Sequence, residues 1–137
     1  MNTSSSPVRT PVSPPSGWTG KLTYSAAVRA GQLLFVSGMT ASTPEGRLAC
    51  EGDMAGQARF IYFEKLLPLL RAAGCDFSHV VETVDYVTTF DGYEKTAAVR
   101  REVFGGAPFP AATGVKVAGL IRPGALIEIR AVAALGA

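Results

Sequence analysis

VVETVDYVTTF, residues 80 to 90, and DGYEKTAAVRREVFGG, residues 91 to 106, form the stretch on which the fold turns. The first part is dense in β-branched and aromatic side chains, which suit a pleated, half-buried surface, and it reads as a strand. The second part reads as a helix. Asp91 and Glu94 have the spacing of a capping box, Tyr93, Ala97 and Phe104 mark a buried stripe, and Gly105-Gly106 ends it. A strand followed by a helix of crossover length is a unit from which layered domains are built.

Upstream, KLTYSAAVRAG (residues 21 to 31) and QLLFVSG (32 to 38) read as two strands that turn into one another through Ala30-Gly31. After a loop at Thr43-Pro44-Glu45-Gly46, Asp53 offers a side-chain acceptor where a helix should start. Phe60, Phe63, Leu67 and Leu70 then recur at helical spacing, and Gly74 stands where a left-handed terminal residue is wanted. Pro68 lacks a backbone donor and is expected to kink the last turns or to shift the helix end. Downstream, ATGVKVAGL and ALIEIRAVA read as strands separated by the turn formers Arg122-Pro123-Gly124. The order β-β-α-β-α-β-β predicts an α+β domain, one mixed sheet with two helices on one face. The other face needs cover, and association of subunits is the remedy that an apolar sheet of this size suggests.

Composition bounds the rest. A chain of 137 residues with 47% hydrophobic content builds one core, not two. Residues 1 to 19 hold four prolines and five serines and read as a flexible leader, so the domain is placed at 20–137. A formal charge of +2 lacks the basic surplus of nucleic-acid binders, which favours a small-molecule partner. No apolar run reaches the roughly 18 residues that a membrane span requires, and Cys50 and Cys75 carry no disulfide framework, so a cytoplasmic location is expected.

Most candidate motifs fail on spacing. Cys75 and His79 lie four apart, whereas thiol-imidazole pairs are usually assembled across space. Two cysteines and one histidine without CxxC or HxxxH spacing make no zinc site, so neither metal nor other cofactor is expected. Lys95 and Arg100-Arg101, flanked by Glu94 and Glu102, read as a solvated helix face. Glu128 is different: it interrupts the apolar strand 125 to 129, where a carboxylate is costly unless paired. Periodicity alone leaves two readings open. Glu128 and Arg130 either share one wet face of the strand, or the carboxylate is there for chemistry.

Several of these pieces together are similar to one family. Tyr24 through the Gly31 turn, the strand ending in Ser37-Gly38, Gln57-Ala58-Arg59, Leu70 to Gly74, Val80-Val81, Phe109-Pro110-Ala111 and Ile127-Glu128-Ile129 resemble, in order, the RidA/YjgF imine and enamine deaminases. The resemblance covers about Gly20 to Ala134, the whole globular part. It implies the chorismate-mutase-like fold and a homotrimer with helices outward, whose ligands bind in clefts between subunits. It also implies that Glu128 is the general base that positions water, and that Tyr24 donates a hydrogen bond to the reacting group.

The departures matter as much. Deaminating members place an arginine directly after the Pro-Ala pair to grip the substrate carboxylate. Here that position is Ala112, so the charge-assisted grip is missing. Gly114 stands where relatives often have Cys or Thr, and Ala97 where bacterial deaminases often have Asn. Ser37, Gly38, Ala97, Ala112, Thr113 and Gly114 are therefore expected to line a wider, less polar cleft. Arg130 is the candidate relocated cation, since Lys116 lies about 13 Å beyond Ala112 at ordinary strand rise. The resemblance thus implies a divergent enzyme for an imine, enamine or related conjugated intermediate, acting by hydrolysis or proton transfer, with 2-aminoacrylate not the preferred substrate. The alternative is a non-catalytic trimer that binds small molecules or another protein. A ribonuclease activity finds little support in a net charge of +2 and a lone histidine.

Overall fold

A computed structural model of the chain describes residues 8–136. Its strands are β1 (Thr10–Val12), β2 (Ala27–Ala30), β3 (Leu33–Met39), β4 (Val80–Val87), β5 (Ala111–Lys116) and β6 (Ile127–Ala134), joined in one sheet of order β1-β2-β3-β6-β4-β5. β4 and β5 run parallel and every other pair is antiparallel. The mixed sheet and α+β class are those read from the sequence. β5 and β6, joined through the loop at 122–124, are not neighbours, because β4 lies between them. One feature differs. β1 is an edge strand in the stretch expected to be a flexible leader, and residues 1–7 of that leader lie outside the described residues. Pro11 is tolerated in β1 because an edge strand can leave its outer side without a donor.

β2 and β3 form the expected hairpin. Gly31 has φ +59° at the first central position of its two-residue loop, as a type II′ turn requires.

The first helix begins where Asp53 caps it, its carboxylate accepting from Gly56 N at 3.0 Å. α1 (Met54–Phe60) passes through a π-helical segment (Ile61–Leu66) into α2 (Leu67–Ala72). The wide turns ahead of Pro68 carry the chain past a ring that would clash with the carbonyl four residues back in an unbroken α-ladder. The buried stripe is not the expected one. Ala58, Ile61, Tyr62, Leu66, Leu69 and Leu70 face the core, while Phe60, Phe63 and Leu67 of the expected stripe are only half-buried. Gly74, φ +83°, closes the helix in a Schellman motif, with Cys75 N donating to Leu70 O and Gly74 N to Arg71 O, both at 3.0 Å.

The second helix also differs from expectation. A 3₁₀ turn (Tyr93–Lys95) leads into α3 (Thr96–Phe104), and the turn starts at Gly92 with no side-chain cap. The Asp91/Glu94 capping box is therefore not formed. Thr96, Val99 and Val103 face the core and Ala97 is exposed.

Helices cover one face of the sheet. Leu34, Val36, Ile127, Ile129, Ala131, Ala133 and Val87 pack there with the helical stripe. Buried Gln57 ties α1 to the approach of β6: its Oε1 accepts from Leu126 N at 2.9 Å, and its Nε2 donates to Cys50 O at 3.2 Å. The other face leaves Leu33 and Phe35 exposed beside half-buried Val132.

Candidate functional site

Glu128 sits on the open face. Ile127, Ile129 and Ala131 of β6 point to the helices, so the period of two turns Glu128 and Arg130 the other way. Opposite Glu128, β3 carries a bulge between Val36 and Met39, which re-aims Ser37 and Gly38. The carboxylate of Glu128 lies where a side chain at residue 38 would start, so a larger residue there would have to displace it. Ser37 is fixed from both ends, its N donating to Ala26 O at 3.0 Å and its Oγ to Ser25 O at 2.7 Å. Next to Ser25, Tyr24 is 54% exposed, its ring met edge-on by Trp18 at 5.5 Å. The Trp18 indole also donates to Tyr24 O at 2.9 Å. Tyr24, Ser37, Gly38 and Glu128 thus gather at one corner. Arg130 does not join them: its Nε donates to the Tyr86 hydroxyl at 3.0 Å, and Tyr86 is the register partner of Glu128.

Ala112 and Gly114 belong to a second place, and Ala97 is exposed on α3. The register pairs Ala112 with Thr83 and Gly114 with Asp85, both on the helix-covered face, whereas Thr113 pairs with Val84 on the face of Glu128. Within one chain the sheet itself separates Glu128 from Ala112 and Gly114. All six residues of β5 are exposed, so this second group stands at an open edge.

Behind that edge is a polar network that sequence reasoning missed. Tyr93 donates its hydroxyl proton to Asp85 Oδ2 at 2.8 Å. Arg100 Nη1 donates to Thr83 Oγ1 at 2.7 Å and to the Tyr62 hydroxyl at 3.1 Å, with its guanidinium over the Phe104 ring at 5.1 Å. Arg100 is therefore not part of a solvated face, although Lys95 and Arg101 are exposed as expected. The signal in the sequence was Asp85, an acidic residue amid the β-branched run of β4. Burial first, then the hydrogen bond to Asp85, raises the Tyr93 hydroxyl. Desolvation likewise pushes Tyr62 up to about 12. Desolvation holds the Asp85 carboxyl above the ordinary carboxylate range, opposed by the Tyr93 hydrogen bond and the Arg100 charge. Gly114 does not leave an empty gap as expected. The Tyr93 hydroxyl fills the space that a Cβ on residue 114 would need.

The remaining candidates supply no chemistry. Burial pushes the Cys75 thiol up, and His79 closes a capping box with Asp76. Among the described residues no three His, Cys, Asp or Glu side chains gather as a metal site, and no helix is long and apolar enough to cross a membrane. A groove of about 520 Å3 lined by Phe77, Val80, Val103, Phe104 and Pro108 lies away from Glu128.

The arrangement matches known proteins along nearly its whole length. A family model described as Endoribonuclease L-PSP matches residues 19–135. This chain belongs to the RidA/YjgF family. It is 38% identical over 95 residues to the RutC family protein YjgH of Escherichia coli, covering 69% of this chain and 70% of that one. It is 31% identical over 113 residues to the human 2-iminobutanoate/2-iminopropanoate deaminase, covering 82% of this chain and 80% of that enzyme. Among solved structures, PA3499 of Pseudomonas aeruginosa, a protein of unknown function, superposes with a TM-score of 0.82 at 34% identity, covering 93% of this chain and 92% of that one. RidA/YjgF membership fits the Gly38–Glu128 corner, whose residues carried the resemblance in the sequence.

Proposed function

We propose that this RidA/YjgF chain is a divergent C=N-directed enzyme that works as a homotrimer, with each cleft formed by the Glu128 corner of one subunit and the β5 edge of the next. The observation that carries this reading is the seat of the Glu128 carboxylate against Gly38, beside Ser37 and Tyr24. Association through the open sheet face would cover Leu33 and Phe35 and bring the two groups together. In hydrolysis, Glu128 takes a proton from water as the oxygen attacks the imine carbon. Tyr24 donates a hydrogen bond to the reacting group. The C–N bond then breaks, nitrogen leaves as ammonia with the transferred protons, and a carbonyl remains. With Ala112 in place of a cation, the substrate is an uncharged or bulky imine or enamine and not a short imino acid.

Imines generated in situ by an amine oxidase from bulky apolar amines, and imino acids generated by an amino-acid oxidase, test this reading through semicarbazide trapping. Faster loss of the carboxylate-free imines is expected, with Glu128→Gln slowing it by about 10²-fold or more and Tyr24→Phe slowing it as well. Unchanged turnover in both variants would overturn the assignment. A second reading is favoured by Ala112 itself: a trimer that binds small molecules or a protein without turning them over, with Glu128 as a structural acceptor. Binding without Glu128-dependent turnover of any imine would select it.

A further inference from the structure

The β5 edge bears more than the loss of a cation. Asp85 is 4% exposed, its Oδ2 holds the Tyr93 hydroxyl proton, and its Oδ1 is buried with no partner. An ionised carboxylate only accepts, so the Tyr93 proton is committed to Asp85 and the phenol oxygen offers lone pairs alone. That oxygen lies over Gly114, in space that any side chain at 114 would occupy, on a strand exposed from end to end. Arg100, the nearest cation on this face, is tied to Thr83 and Tyr62 and stacked on Phe104. The edge therefore presents an acceptor backed by a buried carboxylate that still lacks a donor.

We infer that Tyr93, held by Asp85 and admitted by Gly114, is a specificity-determining residue that receives an N–H or O–H donor of the ligand at the place where Ala112 leaves no grip for a carboxylate. The ligand class is thus a neutral or cationic molecule with a donor, such as an amide or amine, attached to an apolar body. A carboxylate would set its own lone pairs against those of Tyr93 and its charge against that of Asp85. This inference rests on the cleft of the preceding section but concerns binding alone.

Calorimetric titration of the full chain with benzamide and benzoate tests it, since the two probes share a shape and differ in donor and charge. Benzamide is expected to bind about tenfold tighter than benzoate. Tyr93→Phe, which keeps the ring against Gly114, is expected to erase that preference, and Ala112→Arg to reverse it. Tighter binding of benzoate would overturn the inference. Failure of benzamide to bind, or an unchanged preference in Tyr93→Phe, would also overturn it. Loss of the preference with Glu128-dependent turnover intact rejects only this inference, whereas the preference without turnover rejects only the catalytic reading.

Discussion

The carboxylate of Glu128 occupies the space in which a side chain on Gly38 would begin. One residue's absence of a Cβ thus sets where another's charge can stand. At this exposed position Gly38→Ala must push the carboxylate, the far end of a flexible side chain, out of its seat. The expected outcome is a nearly unchanged urea midpoint together with a loss of imine turnover approaching that of Glu128→Gln. Retained turnover in a stably folded Gly38→Ala chain would show that the position of Glu128 is immaterial.

Arg100 supplies the donors for two groups that have little access to water. Arg100→Leu leaves Thr83 Oγ1 and the Tyr62 hydroxyl without that partner and is expected to cost about 2–3 kcal/mol of unfolding free energy. Denaturation of Arg100→Leu, Tyr62→Phe and the double variant measures this. The double variant should lose less than the sum of the two single losses, because the two residues share one hydrogen bond.

The raised Asp85 carboxyl gives a signed pH dependence. Its folded value lies above the ordinary 3.8, so the folded chain holds this proton more firmly than the unfolded one. That contribution is fully present below 3.8 and is lost as pH rises through the folded value. Asp76 and Glu102 are shifted downward and act in the opposite sense, losing their contributions as pH falls. Asp85→Asn removes only the first effect. Its stability relative to the parent chain should therefore rise with pH above about 4, the ordinary carboxylate range, as followed by denaturant midpoints across a pH series.

Trp18 is the chain's one tryptophan, and its contact with Tyr24 makes it both a support and a reporter. Trp18→Ala frees the Tyr24 ring and is expected to reduce turnover roughly two- to tenfold, in keeping with the energy of an aromatic pair. Trp18→Phe should restore most of it. Equal rates in all three chains would remove Trp18 from any positioning role.

Local patterns in the sequence carried the elements well. Turn chemistry at Gly31, the Asp53 cap and the Gly74 terminus each act over a few residues, and each is found where the sequence places it. What escaped was decided at longer range. The buried stripe runs through Met54, Ala58, Ile61, Leu66 and Leu69 at ordinary helical spacing but out of phase with Phe60 and Phe63, and in so apolar a segment only the tertiary packing chooses the face. Arg100 looked like a surface charge because its partners, Thr83 and Tyr62, belong to distant segments. Glu128, Tyr24, Ser37 and Gly38 were legible through resemblance. That Tyr93 fills the Gly114 gap was not, since it depends on the register of β4 with β5.

The place of β6 has a consequence for how the chain comes together. β1, β2 and β3 form one ribbon and β4 and β5 another, and they share no ladder except through β6 between them. Until residues 127–134 are in place, each ribbon has a bare inner edge that can pair with a neighbouring chain. A chain truncated before residue 127 should therefore self-associate and resist proteases poorly, and entry of that one strand is what closes the sheet.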